Sequence, residues 1–185
     1  MHRIAATPGG WTNDTEGVIF VEQTLAPIII LSAADTDIQT LAASFPILPE
    51  SFPAYRCVNL LQLQQQLSID HYAENTLSHA QVIILRLLGG RSYWSYGLDV
   101  VKDIVEENNI HLWVLPGDDQ PDPTLISHST LPLSKVNQLW RYFTEGGVNN
   151  CVNALKFISN SCLNTNYDLE APQIVPKIGE YQEIT

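Results

Sequence analysis

Gln81-Val-Ile-Ile-Leu-Arg-Leu-Leu88, followed at once by Gly89-Gly90-Arg91-Ser92-Tyr93-Trp94, decides the fold class. An apolar run of this length, rich in β-branched residues and ended by paired glycines before a helix-period segment, has the pattern of a buried parallel strand turning into a helix. In open α/β sheets such turns are where ligands bind. Glycine admits close backbone approach, and the helix start that follows offers free N–H groups. Arg91 adds a full positive charge. Arg86 is the odd residue of the strand: a buried guanidinium must be paired or must reach the strand end. It is expected to bond an aspartate or a carbonyl, with a role at the pocket as the alternative. The turn matches neither G-x-G-x-x-G nor the Walker loop, so the residues alone support an α/β domain with a candidate ligand loop and nothing sharper.

Outward from this strand, Ile28-Ile-Ile-Leu31, Ala54-Tyr-Arg-Cys-Val58 and Ile110-His-Leu-Trp-Val-Leu115 have the same character. Gly17-Val-Ile-Phe-Val21 reads as a short strand, either in a hairpin or as an antiparallel edge strand. Between the runs lie helix-period segments. Ile38, Leu41 and Ala42 follow Asp35 or Thr36 as N-cap, with Asp37 in the first turn. A divalent-metal site on these two acids is the weaker alternative. Residues 59–67 form a short amphipathic helix, and Ser68-Ile-Asp70 caps another that runs through His79. Tyr93 to Asn108 supplies the crossover helix that a parallel sheet requires. Pro132 opens a helix through Glu145, ended by Gly146-Gly147, and a last helix runs from Val148 to Cys162. These elements predict an α/β fold, a mainly parallel sheet flanked by helices, Rossmann-like or flavodoxin-like, with Gln81 to Leu88 central.

Pro116-Gly-Asp-Asp-Gln-Pro-Asp-Pro123 lies at the carboxyl end of a strand beside the central one, so in a parallel sheet it shares a rim with Gly89-Gly90. Asp118 or Asp119 is expected to pair with Arg91 or Arg86 and shape the loop; the alternative is a rim that binds a polar ligand or a partner subunit. His128 continues this rim. The candidate ligand-binding residues are therefore Gly89, Gly90, Arg91, Tyr93, Trp94, Asp118, Asp119 and His128. No catalytic or metal-ligating residue is named: Ser127, His128 and Ser129 are sequence neighbours without a G-x-S-x-G elbow, and His111 has no second ligand at metal spacing.

Composition bounds the function. The 185 residues carry a formal net charge of −11, which argues against nucleic-acid and anionic-membrane partners, since both need a basic patch. Three cysteines without a C-x-x-C pair fit a reducing cytoplasm. Met1-His-Arg-Ile-Ala-Ala-Thr-Pro8 lacks the apolar core of a signal peptide, so a cytoplasmic location is expected. Residues 1–163 are expected to form one domain. Residues 164–185 are expected to be a polar linker or tail toward a missing remainder, because the chain stops at Ile184-Thr185 without a closing element.

Pro8-Gly-Gly-Trp11, Gly17-Val-Ile-Phe-Val-Glu-Gln-Thr24, Ala33-Ala-Asp-Thr-Asp-Ile38, Arg86-Leu-Leu-Gly-Gly-Arg-Ser-Tyr-Trp94, Leu115-Pro-Gly-Asp-Asp119 and Leu139-Trp-Arg-Tyr-Phe-Thr-Glu-Gly-Gly147 occur in this order. In them the chain resembles the N-terminal region of the cobaltochelatase large subunit family, CobN, itself similar to the large subunit of magnesium chelatase. The resemblance covers about Met1 to Cys162. It implies ATP-dependent insertion of Co²⁺ into a corrin ring, hydrogenobyrinic acid a,c-diamide, with ATP hydrolysed on separate AAA+-type motor subunits. It implies a head domain inactive alone, with cobalt and ATP used by the full complex, no cofactor bound here, and a metal-free corrin or porphyrin and the motors as partners. The alternatives are a magnesium chelatase subunit acting on protoporphyrin IX, and a free-standing module cradling a small anion on Gly89, Gly90 and Arg91.

Overall fold

The computed structural model describes residues 18–176. Four strands, β1 (Ile28–Ser32), β2 (Tyr55–Asn59), β3 (Val82–Leu87) and β4 (His111–Pro116), form one sheet in the order β2-β1-β3-β4. All three pairings are parallel, with Ile30 opposite both Cys57 and Ile84, and Ile84 opposite Trp113. The interior strands β1 and β3 are buried along their whole length, as their unbroken apolar runs require. The expected α/β architecture with a central β3 is thus the observed one.

Strand residues alternate between two cores. Ile29, Leu31, Ile83, Leu85 and Leu87 pack under α2 (Gln66–Asn75) and α3 (Ser95–Asn108). Ile28, Ile30, Ile84, Trp113 and Leu115 pack under α1 (Asp35–Ser44), α5 (Leu133–Glu145) and α6 (Val148–Cys162). A single turn, α4 (Pro123–Ile126), follows β4. Among the described residues no helix is long and apolar enough to cross a membrane.

Several local expectations are corrected. Among residues 18–25 there is no strand. Side chains satisfy this segment instead: Ile19 N–H donates to Ser68 Oγ (3.1 Å), Gln23 Nε2 to the Cys57 carbonyl (2.9 Å), and the Tyr72 hydroxyl to Gln23 Oε1 (2.7 Å). Gly17 and the Pro8 to Trp11 block lie outside the described residues. Residues 60–63 form a 3-10 turn rather than an amphipathic helix, with the Asn59 side chain accepting the Leu61 N–H. The helix expected to begin at Ser68 begins at Gln66 and ends at Asn75, because Thr76 leaves helical geometry; residues 77–79 form a separate turn. The helix expected from Tyr93 begins at Ser95, after a 3-10 turn at residues 91–93. Neither Asp35 nor Thr36 caps α1: Ala34 holds the N-cap position, and Ser32 Oγ accepts its N–H at 3.1 Å.

At the β2 edge Gln23 Nε2 reaches the Cys57 carbonyl, and the β4 edge is covered by two hydroxyls. On β4, the Leu112 N–H donates to Thr130 Oγ1 and the Val114 N–H to Ser129 Oγ, each at 2.8 Å, which blunts an edge that would otherwise offer free ladder groups.

Candidate functional site

The strand order reverses between β1 and β3, and in open parallel sheets the crevice at that reversal is the usual ligand site. Here protein side chains fill it. Arg86, opposite Ser32 in the β1/β3 register, is 4% exposed and forms an ion pair with Asp37 of α1. Its Nη2 donates to the Gly117 carbonyl at 3.2 Å, and its guanidinium carbon lies 4.9 Å from the centre of the Phe143 ring. The Ser32 hydroxyl donates to the other Asp37 oxygen at 2.5 Å. Asp35 accepts from Asn59 Nδ2 at 2.8 Å. The two acids after β1 are therefore consumed by protein donors, and among the described residues no group of three His, Cys, Asp or Glu could hold a metal. The expectation of an aspartate or carbonyl partner for Arg86 holds, but the aspartate is Asp37 rather than Asp118 or Asp119. A hollow of about 30 Å³ beside this pair, reached from Asp37, Thr40 and Cys151, has room for about one water.

Open space lies one strand over. A cleft of about 290 Å³ separates the β3–α3 turn from the β4–α4 loop, with Leu87 and Leu125 as its floor. Gly89 and Gly90 form one side, and Asp118 and Asp122 the other. The glycines adopt φ +80° and +72°, left-handed values that side chains resist, and a Cβ on Gly90 would stand 3.4 Å from Asp122 Oδ2. Asp122 caps α4 by accepting the Leu125 N–H at 2.9 Å. Asp118 Oδ1 accepts the Gln120 N–H at 3.1 Å, and its carbonyl accepts the Trp140 indole N–H at 3.1 Å. The loop is thus held from outside by Trp140 and from inside by Arg86 through Gly117.

Of the eight candidates, the fold brings Gly89, Gly90 and Asp118 to this cleft. Arg91 is exposed and paired with Asp99 at 3.3 Å, not with the loop aspartates as expected, because the 3-10 turn after Gly90 carries it toward α3. Tyr93 is 44% exposed, and its hydroxyl accepts from Gln64 Nε2 at 3.3 Å. Trp94 is 5% exposed; its indole N–H donates to the Leu63 carbonyl, and its ring packs on Gly97. Asp119 points outward to Gln120 Nε2 at 3.2 Å. His128 is half-buried, and its Nε2 has no hydrogen-bond partner among the described residues. Burial, reinforced by Lys102 and Arg91 and opposed by Asp99 and Asp122, holds its pKa below the ordinary imidazole value.

Sequence reasoning missed Leu87 and Leu125, and it placed Gln120 and Asp122 on the rim loop without naming them as candidates. The signal for one of them was present, since Asp122-Pro123 is an N-cap followed by proline at the first helical position.

No protein-family model matches the chain. It is similar to the aerobic cobaltochelatase subunit CobN of Pseudomonas aeruginosa, with 35% identity over 179 residues, 97% of this chain and 14% of that relative. It is also similar to the aerobic cobaltochelatase subunit CobN of a Sinorhizobium species, 39% identical over 150 residues, 81% of this chain and 12% of the relative. The chain thus spans about one seventh or less of the curated relatives it matches. Among solved structures, the catalytic subunit of cobaltochelatase from Mycobacterium tuberculosis superposes with a TM-score of 0.66 over 84% of this chain and 12% of that one; at 24% identity this likeness shows the fold.

Proposed function

We propose, from the premise that this chain belongs to the CobN family of cobaltochelatase subunits, that it is the head domain of the large subunit and serves to dock other protein. The observation that carries the family role is the similarity over 97% of the chain to a CobN subunit. The full enzyme would insert Co²⁺ into hydrogenobyrinic acid a,c-diamide, with ATP hydrolysed on separate AAA+-type motor subunits.

Two physical arguments favour docking over holding the ring. A cleft of about 290 Å³ admits one side chain or one ring substituent, not a corrin. Asp118 and Asp122 in its wall, on a chain of net charge −11, repel a corrin bearing free carboxylates and attract lysine or arginine from a protein partner. The preferred partner is a basic surface on the motor subunits. Gly89, Gly90 and Asp118 would frame the contact, with Arg91, Tyr93, Asp119 and His128 at its margin.

The experiment compares the intact large subunit with one lacking residues 18–176, supplied with motor subunits, ATP, Co²⁺ and the corrin. The expected result is loss of cobalt insertion with corrin binding retained by the remainder. Undiminished insertion would refute the reading, and activity restricted to Mg²⁺ and protoporphyrin IX would favour magnesium chelation.

A further inference from the structure

Residues 164–176 contain no helix or strand, yet side chains of α6 hold their main chain at regular intervals. Asn160 accepts the Tyr167 N–H and donates to the Tyr167 carbonyl, both at 2.8 Å. Asn153 accepts the Glu170 N–H at 2.9 Å. Asn150 accepts the Gln173 N–H at 2.9 Å and donates to its carbonyl at 2.8 Å. From α5, the Tyr142 hydroxyl donates to the Glu170 carbonyl.

The two sides run antiparallel, Asn150 to Gln173, Asn153 to Glu170 and Asn160 to Tyr167. Asn150, Asn153 and Asn160 stand at i, i+3 and i+10, one face of the helix. The residues they bind, Gln173, Glu170 and Tyr167, recur every third position, the repeat of an extended polyproline-type chain. Asparagine is a poor helix former, so three on one face weaken α6 unless what they bind offsets the cost. The asparagine contacts to residues 167, 170 and 173 are to backbone, while Thr165 Oγ1, which donates to Asn160 Oδ1 at 2.9 Å, and the Tyr167 ring, 5.4 Å from that of Phe52, add side-chain contacts at the lower end.

Direction follows from the topology. The α6 helix starts after Gly147, at the end of the sheet where Phe143 covers Arg86, and descends; the extended segment climbs back along it. At its lower end the Tyr167 hydroxyl donates to the Ser51 carbonyl at 3.1 Å, and at its upper end a Val175 methyl comes to 3.6 Å of where a Cβ on Gly147 would stand.

We propose that these asparagines form a latch that reads the backbone of residues 167–173 and returns the chain from the amino end of the sheet to the carboxyl rim, so that it passes Pro176 at the same end as the candidate cleft. The inference stands independently of the docking role. Its test is amide exchange, followed residue by residue in the full chain. Asn160→Ala is expected to speed exchange at Tyr167, Asn153→Ala at Glu170 and Asn150→Ala at Gln173, each by about tenfold, the effect of one lost hydrogen bond on a local opening. Amides of Ile83 to Leu85 should remain unchanged. Alanine favours helix, so Asn153→Ala and Asn160→Ala cannot act by weakening α6, and these two carry the test if Asn150→Ala does not fold. Unchanged rates at the paired amides, or exchange at the speed of unstructured chain in the unaltered protein, would overturn the latch.

Discussion

Arg86 of β3 and Asp37 of α1, 49 residues apart in sequence, form an ion pair that closes the crevice between β1 and β3, with the guanidinium 4% exposed and the Asp37 side chain 12% exposed. A fold that usually binds ligands at this point has its own charges there instead. The pair also holds the Gly117 carbonyl, so it joins the crevice to the loop that walls the neighbouring cleft.

Breaking the pair from the acid side should be the costlier change. Asp37→Ala leaves a buried guanidinium with one hydrogen-bond acceptor among the described residues, the Gly117 carbonyl, beside the Phe143 ring, and is expected to destabilise the chain by about 3–5 kcal/mol. Arg86→Met keeps the volume and leaves Asp37 bonded to Ser32, so it should cost less. Denaturant unfolding of both variants checks the order.

Trp94 shows how far the site was legible in sequence. The Gly89-Gly90 turn and its place at a strand end followed from local pattern, since β-branched runs and left-handed glycines are local facts. Whether Arg91, Tyr93 and Trp94 face the cleft depends on the short 3-10 turn between them, which no periodicity announces. The partner of Arg86 was hidden for a different reason: Asp37 reads locally as a first-turn acid, and only the adjacency of β1 and β3 makes it a counter-ion. Likewise, residues 164–176 look like a polar tail until the α6 asparagines are seen to bind their backbone.

Trp94 as a packing residue gives a second prediction. A Cβ on Gly97 would fall 2.1–2.4 Å from the Trp94 ring, so Gly97→Ala must displace the indole despite the better helix propensity of alanine. The expected cost is about 1–3 kcal/mol, with a red-shifted tryptophan emission as the ring gains water. Unfolding curves and emission spectra together check it.

The depressed pKa of His128 makes stability depend on pH in a defined sense. The unfolded imidazole binds its proton more readily than the folded one, so this contribution is fully present above the unfolded value of about 6.5 and is lost as pH falls from there toward the folded pKa. His128→Gln should flatten the melting temperature between about pH 7.5 and 5 relative to the parent chain, the window set by that reference value. An unaltered slope would assign the dependence to other groups.

Burial pushes the thiols of Cys151 and Cys162 up to about 11 and raises that of Cys57. Thiolate is the reactive form, so all three should resist iodoacetamide at pH 8 in the folded chain and react promptly in denaturant. Mass spectrometry counts the adducts.

The most direct test of the docking role is a fluorescence titration of the chain with a metal-free corrin and, separately, with the motor subunits, read from its tryptophans. No saturable quenching by the corrin is expected. A salt-sensitive response to the motor subunits is expected, weakened when Asp118→Asn and Asp122→Asn remove the charges of the cleft. Saturable quenching by the corrin, with no response to the motors, would contradict the docking role and give this domain part of the ring site.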